Sequence, residues 1–222
     1  MKNLITALVL AVLLAAAPSH LFAQALKTST SGVQTFNLKD ARNQASFVSD
    51  MSLETFRGTT NDISGALSFD PSDVAGTIKG EIVVGVASIK TGIDMRDGHL
   101  RSKAWMDAAA YPTMTFAVKG MKNVNVKGNV ITGTAFGNLT IHGVTRPKEV
   151  EVRLVFMEES MKTKMRAPGN LLVIKTAFDV RLTSYGINGA VMKGMKILGT
   201  KVNDVVQVQF NGIGFTGKMK GT

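Results

Sequence analysis

The chain alternates. Val150, Val152, Leu154 and Phe156 are separated by Glu149, Glu151, Arg153 and Val155, so apolar and mostly charged side chains trade places residue by residue. Successive side chains of an extended strand point to opposite faces, whereas a helix gathers every third or fourth onto one side. Such a stretch is a strand with one face covered and the other wet. Apolar residues share a face in the same way at Ile78, Ile82, Val84 and Val86, at Met114, Phe116 and Val118, and at Val206, Val208 and Phe210. They do so again at Leu172, Ile174, Phe178, Val180 and Leu182, where Lys175, Asp179 and Arg181 take the other face. From Val130 to Leu139 the pattern fits either register.

Turn chemistry separates these runs. Lys127-Gly128-Asn129 joins Val124–Val126 to Val130–Ile131 as a hairpin. Asp70-Pro71-Ser72-Asp73 puts proline at the second position of a turn, and Ala167-Pro168-Gly169-Asn170 is another turn. Repeated strands with short turns predict an all-β, antiparallel sandwich or barrel. One segment departs from the rule. Asp94 to Ala110 has helical character, with Asp94 as its cap and Asp97 three residues on as reciprocal partner. Leu100, Ala104 and Ala108 would share one stripe with Trp105 beside it, and Tyr111-Pro112 ends the run. The stretch around Lys193 to Lys201 reads as a Gly-interrupted loop or a frayed helix.

The first residues belong to a different class of segment. Met1-Lys2-Asn3 is short and positive, Leu4 to Ala17 is apolar apart from Thr6, and small residues follow at Ala23 and Ala25. This is the form of a secretory signal peptide cut after Ala23 or Ala25, and it predicts a periplasmic or secreted protein. The apolar run falls short of the ~20 residues a membrane span needs. No cysteine occurs anywhere, which rules out disulfides, thiolate catalysis and cysteine-based zinc sites. Stability must come from the core and the backbone ladder.

The formal charge of +10 raises the question of nucleic acid. Lys and Arg are scattered, however, and an aromatic share of 6% supplies few stacking platforms. The charge reads as a basic surface, one attracted to anionic envelope lipids. Beyond the leader only His99 and His142 remain, far apart and without a carboxylate cluster, so neither a metal site nor a base-assisted nucleophile is indicated. Met51, Met95, Met106, Met114, Met121, Met192 and Met195 are either ordinary core filling or an adaptable lining for an apolar cavity.

Three ordered motifs point to a family. Thr91-Gly92 is followed by Arg96-Asp97-Gly98-His99-Leu100-Arg101-Ser102, by Trp105, and by Tyr111-Pro112-Thr113-Met114-Thr115-Phe116. Gly137-Asn138-Leu139-Thr140-Ile141-His142-Gly143-Val144-Thr145-Arg146-Pro147 forms the second, and Phe178 through Tyr185-Gly186-Ile187 the third. Together they resemble the signatures of the YceI-like family over roughly Phe36 to Phe215. Two departures stand out. Phe47-Val48-Ser49-Asp50-Met51 lacks the histidine frequent in the family's first hairpin, and Leu182 stands where the third motif usually has arginine.

The resemblance implies an antiparallel eight-stranded, lipocalin-like barrel with one short inserted helix. The chain then divides into a signal peptide (1–23), a flexible lead-in (24–35) and the barrel domain (36–222). It further implies a non-enzymatic, cofactor-free protein that holds an isoprenoid lipid, an isoprenoid quinone or a polyprenyl phosphate, in the barrel interior. On that reading Trp105, Phe116, Phe136, Phe156, Phe178 and Leu182 line the cavity, and His99, Arg101 and Tyr185 stand at its mouth. Structural roles for the last three are as natural, with Arg101 pinning the helix by pairing with Asp97. The competing expectations are a ligand-free envelope structural or stress-response module with a filled core, and a hydrolase or isomerase acting on lipid intermediates. A homodimer stays open.

Overall fold

A computed structural model describes residues 25–51, 54–165, 167–189, 191–192 and 195–217; the expected leader over 1–23 lies outside them. Ten strands form one antiparallel sheet: β1 (Gln34–Asn37), β2 (Gln44–Asp50), β3 (Thr55–Thr60), β4 (Ile63–Phe69), β5 (Lys79–Gly85), β6 (Thr113–Lys127), β7 (Val130–Ile141), β8 (Val144–Met157), β9 (Leu171–Arg181) and β12 (Val205–Phe215). A separate short hairpin, β10 (Val191–Met192) with β11 (Met195–Lys196), occupies the stretch that the sequence left between loop and frayed helix. A turn follows in which the amides of Lys201 and Val202 bond to the Ile197 carbonyl. Besides these, a one-turn helix α1 (Val74–Thr77) follows the Asp70–Asp73 turn, α2 (Asp94–Arg101) follows β5, and α3 (Met161–Lys164) follows β8.

The neighbours run β4–β5–β6–β7–β8–β9–β12, and the sheet closes because β1 and β2 share the free edge of β12. β2 pairs with β12 from Gln207↔Val48 to Asn211↔Gln44, and β1 meets it at Asn37↔Phe215. β1 then pairs with β4 along its length, while β2 pairs with β3. β1 with β2, and β3 with β4, each count as one interrupted strand, so the barrel has eight.

The break between β1 and β2 falls at the seam itself. Asp40 accepts from the Arg42 amide and Nε, both at 2.8 Å, and turns the chain; the Arg42 guanidinium holds the Asp40 carboxyl below the usual carboxylate range. Asn43, fully buried, bridges the interruption. Its Oδ1 accepts from the Ile213 amide at 2.6 Å, and its Nδ2 donates to the Ile213 carbonyl at 3.2 Å and to the Leu38 carbonyl. The side-chain amide thus makes with Ile213 the exchange that a backbone residue of a paired strand would make.

One end of the barrel is solid. Phe36 stacks on Phe69 with centroids 5.2 Å apart, and Phe156 meets both edge-on at 6.1 and 6.3 Å. Leu38, Ile131, Leu154 and Leu172 complete this buried floor. Such aromatic pairs add to their area burial by roughly 0.5–1.5 kcal/mol each.

The stretch before β1, expected to be loose, is tied down. The Leu26 amide donates to the Pro71 carbonyl at 3.0 Å. Glu158 Oε1 accepts from the hydroxyls of Thr28, Ser29 and Thr30 and from the amides of Ser29 and Thr30. The Thr28, Ser29 and Thr30 hydroxyls lower the Glu158 pKa from its ordinary 4.5 to about 2.

Two outcomes are predicted. Asn43→Ala leaves the Ile213 and Leu38 backbone groups without partners and should cost about 2–4 kcal/mol in urea unfolding with an unchanged slope; a loss below about 0.5 kcal/mol would remove Asn43 from the seam. For Glu158 the pKa is depressed in the clamped form, so protons favour release. The clamp is complete above the ordinary value of 4.5 and is lost as pH falls toward about 2. The Ser29 and Thr30 amide resonances should move to random-coil positions over that window while those of β7 stay, and Glu158→Ala should place them there at neutral pH.

Candidate functional site

Above the aromatic floor the same strands enclose a void of about 600 Å³. Ligand pockets commonly measure about 300–1,000 Å³. The change from floor to void is a change in side-chain size. Facing inward at this level are Ala135, Val150, Val152, Val206 and Val208, where the floor has phenylalanine and leucine. Larger side chains lie along the wall rather than across it. Phe47 of β2 is held flat over its partner Gly58 of β3, where an added Cβ would stand 2.2 Å from the Phe47 ring.

The open end carries the polar groups. α2 contributes Met95, Arg96, His99 and Leu100 to the lining, the turns after it contribute Trp105 and Met106, and Glu54, Thr91 and Lys201 complete the rim. Arg96 stands with its guanidinium 4.4 Å from the Phe56 ring centroid, donates from Nε to Thr91 Oγ1 at 3.1 Å and pairs with Glu54. Ile93 and Met95 are 50% and 72% exposed, so the rim is also greasy on its outer side. Among the described residues no group of three His, Cys, Asp or Glu side chains gathers to hold a metal.

α2 is shorter than the periodicity predicts. It ends at Arg101, Ile93 rather than Asp94 takes the N-cap position, and no side chain caps it. Residues 103–110 are turns, with the Met106 amide on the Leu100 carbonyl and the Ala108 amide on the Arg101 carbonyl. Asp97 is buried and accepts from the Thr91 amide at 2.7 Å and hydroxyl at 2.6 Å, with Lys90 Nζ 3.6 Å away. The Thr91 hydroxyl holds its carboxyl below the usual range. The acid therefore ties the helix to the loop before it, and Arg101 is not its partner.

Of the expected lining residues, Trp105, Phe116, Phe178 and Leu182 border the void. Phe136 does not. Ile131, Ala135, Leu139 and Ile141 take the inner face of β7, which turns Phe136 outward, where it is 37% exposed and covers Gly120 of the paired strand. Phe156 faces inward but belongs to the floor, packed between Phe36 and Phe69 below the void. At the mouth, His99 borders the opening; Arg101 and Tyr185 do not. Tyr185 is buried at the end of a 3-10 turn (Leu182–Tyr185), its carbonyl 3.3 Å from His142 Nδ1, and burial pushes its phenol up. Met95, Met106 and Met114 border the void, Met121 is core, Met51 is half-buried outside the lining, and the Met192 and Met195 side chains lie outside the description.

Residues of the lining that the sequence did not assign to the site include Phe47, Phe56, Gly58, Arg96 and Glu54. Phe47 carries a local signal, since it sits in an alternating stretch. The Phe47–Gly58 and Arg96–Glu54 pairings carry none, because they join residues that only the fold brings together.

The YceI-like domain family matches residues 36–212. The UPF0312 protein YE1254 of Yersinia enterocolitica is 36% identical over 97 residues, 44% of this chain and 47% of its own length. A UPF0312 protein of Yersinia pestis is 35% identical over a stretch of the same size, so the chain spans about half the length of these curated relatives. Among solved structures, BcnA of Burkholderia cenocepacia has a TM-score of 0.60 at 22% identity, over 79% of this chain and 98% of its own. A polyisoprenoid binding domain from Saccharophagus degradans, implicated in plant cell wall breakdown, has a TM-score of 0.61 at 16% identity, over 83% and 99%. At such identities the likeness is one of fold.

Gly58→Ala should force the Phe47 ring off Gly58 and into the void, at a cost of about 1–3 kcal/mol. A crystal structure of the variant and its urea midpoint check this together; an unmoved ring with unchanged stability would contradict the close packing described.

Proposed function

The chain belongs to the YceI-like domain family, and from that we propose that it is a non-enzymatic carrier whose barrel holds the apolar tail of a polyisoprenoid-type amphiphile, an isoprenoid quinone or a polyprenyl phosphate. The carrying observation is the void itself: about 600 Å³, almost wholly apolar, closed below by aromatics and open above beside α2. Water inside it would find few of the two to four polar partners that an ordered buried water needs. A prenyl chain needs none. Each buried CH₂ contributes about 0.8 kcal/mol, so a tail of about fifteen carbons offers roughly 12 kcal/mol gross against association costs of about 4–15 kcal/mol. The binding named for the Saccharophagus degradans domain agrees with this reading.

The reading is one of binding rather than chemistry because the titratable lining, Glu54, Arg96, His99 and Lys201, is confined to the rim, where Glu54 is already paired with Arg96 and, among the described residues, no acid and base converge on the void. A filled-core structural module is disfavoured by the unfilled interior. Export through the leader at residues 1–23 belongs to the same proposal.

One preparation tests it. The chain expressed with its leader in its native host should give, by native mass spectrometry, a polypeptide beginning at Gln24 or Leu26 with a lipid adduct that organic solvent removes. Trp105 is the single tryptophan and borders the void, so a short-chain quinone such as decylubiquinone should quench its fluorescence. Ala135→Trp, which fills the void, should weaken that binding by about tenfold or more, a loss of about 1.4 kcal/mol or greater. An adduct-free mass together with no saturable quenching would end the carrier proposal.

A further inference from the structure

The barrel wall has a gap in its ladder. β8 pairs with β9 from Met157↔Leu171 to Val152↔Thr176, and there the pairing stops. Residues 144–151 keep β7 on one side, residues 177–181 keep β12 on the other, and among the described residues no backbone pairing joins the two banks. Val150 on one bank and Phe178 and Val180 on the other border the void. The slit is therefore a thin place in the cavity wall.

Side chains span it. At the last rung Thr176 Oγ1 donates to the Glu151 carbonyl at 2.6 Å. Lys148 Nζ donates to the Asp179 carbonyl at 2.7 Å and stands 5.4 Å from the centroid of the Phe178 ring. Arg146 Nε donates to the Ser184 carbonyl at 2.5 Å. Lys148 also borders a shallow hollow on the outer surface beside Lys119 and Phe136, so it is reached from outside while its ammonium rests on a residue of the void.

Among the described residues neither of these two cations has a carboxylate partner, unlike the rim arginine and the lysines and arginines paired nearby. Arg96 is paired with Glu54, Lys90 with Asp97, Lys122 with Glu149 and Arg181 with Asp204. Among the described residues no carboxylate lies within ion-pair distance of Arg146 or Lys148. Among the described residues their hydrogen-bond partners are neutral carbonyls, which use one of three lysine N–H groups and one of five arginine N–H groups. An anionic oxygen adds to such a charged donor a Coulombic attraction that a neutral carbonyl does not supply. Positive charge with donors to spare, exposed at Arg146 and half-buried at Lys148, stands two residues apart on one strand with Lys148 over a ring of the void, and this matches one chemistry.

We infer that the β8–β9 slit binds the anionic head group, phosphate or carboxylate, of an amphiphile whose chain lies in the barrel, with Lys148 and Arg146 as its donors. This rests on the carrier proposal and narrows it to acidic amphiphiles over neutral quinones.

Titration of Trp105 fluorescence with farnesyl phosphate and with farnesol tests it, because the two share a chain and differ in the head. The phosphate should bind about tenfold or more tightly than the alcohol, and added salt should narrow the gap. Lys148→Met with Arg146→Gln should bring the two to within about twofold while leaving farnesol affinity in place, and Lys175→Gln, on the outer face of β9, should keep the gap. Should the double variant unfold, Arg146→Gln alone on the exposed bank should still shrink the preference. A gap that survives the double variant, or that vanishes with Lys201→Met at the mouth instead, overturns the inference. So does displacement of farnesyl phosphate by millimolar inorganic phosphate, which would mark a site for the free ion. If farnesol binds and farnesyl phosphate binds no better, the head-group site alone falls; if neither binds, the carrier proposal falls with it.

Discussion

A barrel stands only if its last strand meets its first, since an open edge leaves a row of backbone donors and acceptors unbonded. In this chain that meeting happens along β12, and two short strands rather than one long one take its free edge. The interruption would leave Ile213 facing nothing but a turn. Asn43 removes the problem by presenting an amide where a peptide group would have been. Closure there lets β1 run on to β4 and β2 to β3, so that both ends of the barrel are walled from a single edge.

The closed wall then has a polarised interior. Along β8 the inward residues are Val150, Val152, Leu154 and Phe156, small near the mouth and large near the floor. One alternating strand thus supplies both packing and emptiness, depending on depth. The floor gives the domain its core without a single disulfide, and the upper half is free to stay unfilled. Charge is kept to the boundaries of the void: Arg96 and Glu54 at the rim, Lys148 and Arg146 at the slit.

How much of this was legible in the sequence follows from how local each signal is. The inner faces of residues 150–156, 172–182 and 206–210 were readable because period two needs only neighbours in the chain. Phe136 was misplaced because glycines at 133 and 137 blur the alternation of β7, and what settles its face is Gly120, a partner across the sheet. Phe156 had its face right and its depth wrong, since depth depends on Phe36 and Phe69, far off in sequence. The stripe of Leu100, Ala104 and Ala108 suggested a longer helix than the turns after Arg101 permit, and the partner of Asp97 came from the loop before it. The slit is only half legible, because the apolar alternation of β8 ends at Val150, with Lys148 and Arg146 in the phase of the inward residues, while nothing in β9 marks it. The rest lies in where their ladder ends.

The aromatic floor has a further consequence. A tube open at both ends lets a long chain pass through; a blind one measures it. With Phe36, Phe69 and Phe156 fixing the bottom, the distance from rim to floor sets the longest hydrocarbon that fits while its polar end still reaches solvent or wall. Members of the family that carry smaller residues at these three positions would own a deeper bore. Length selection would then be written in the part of the molecule farthest from the entrance, as on a ruler read from its closed end.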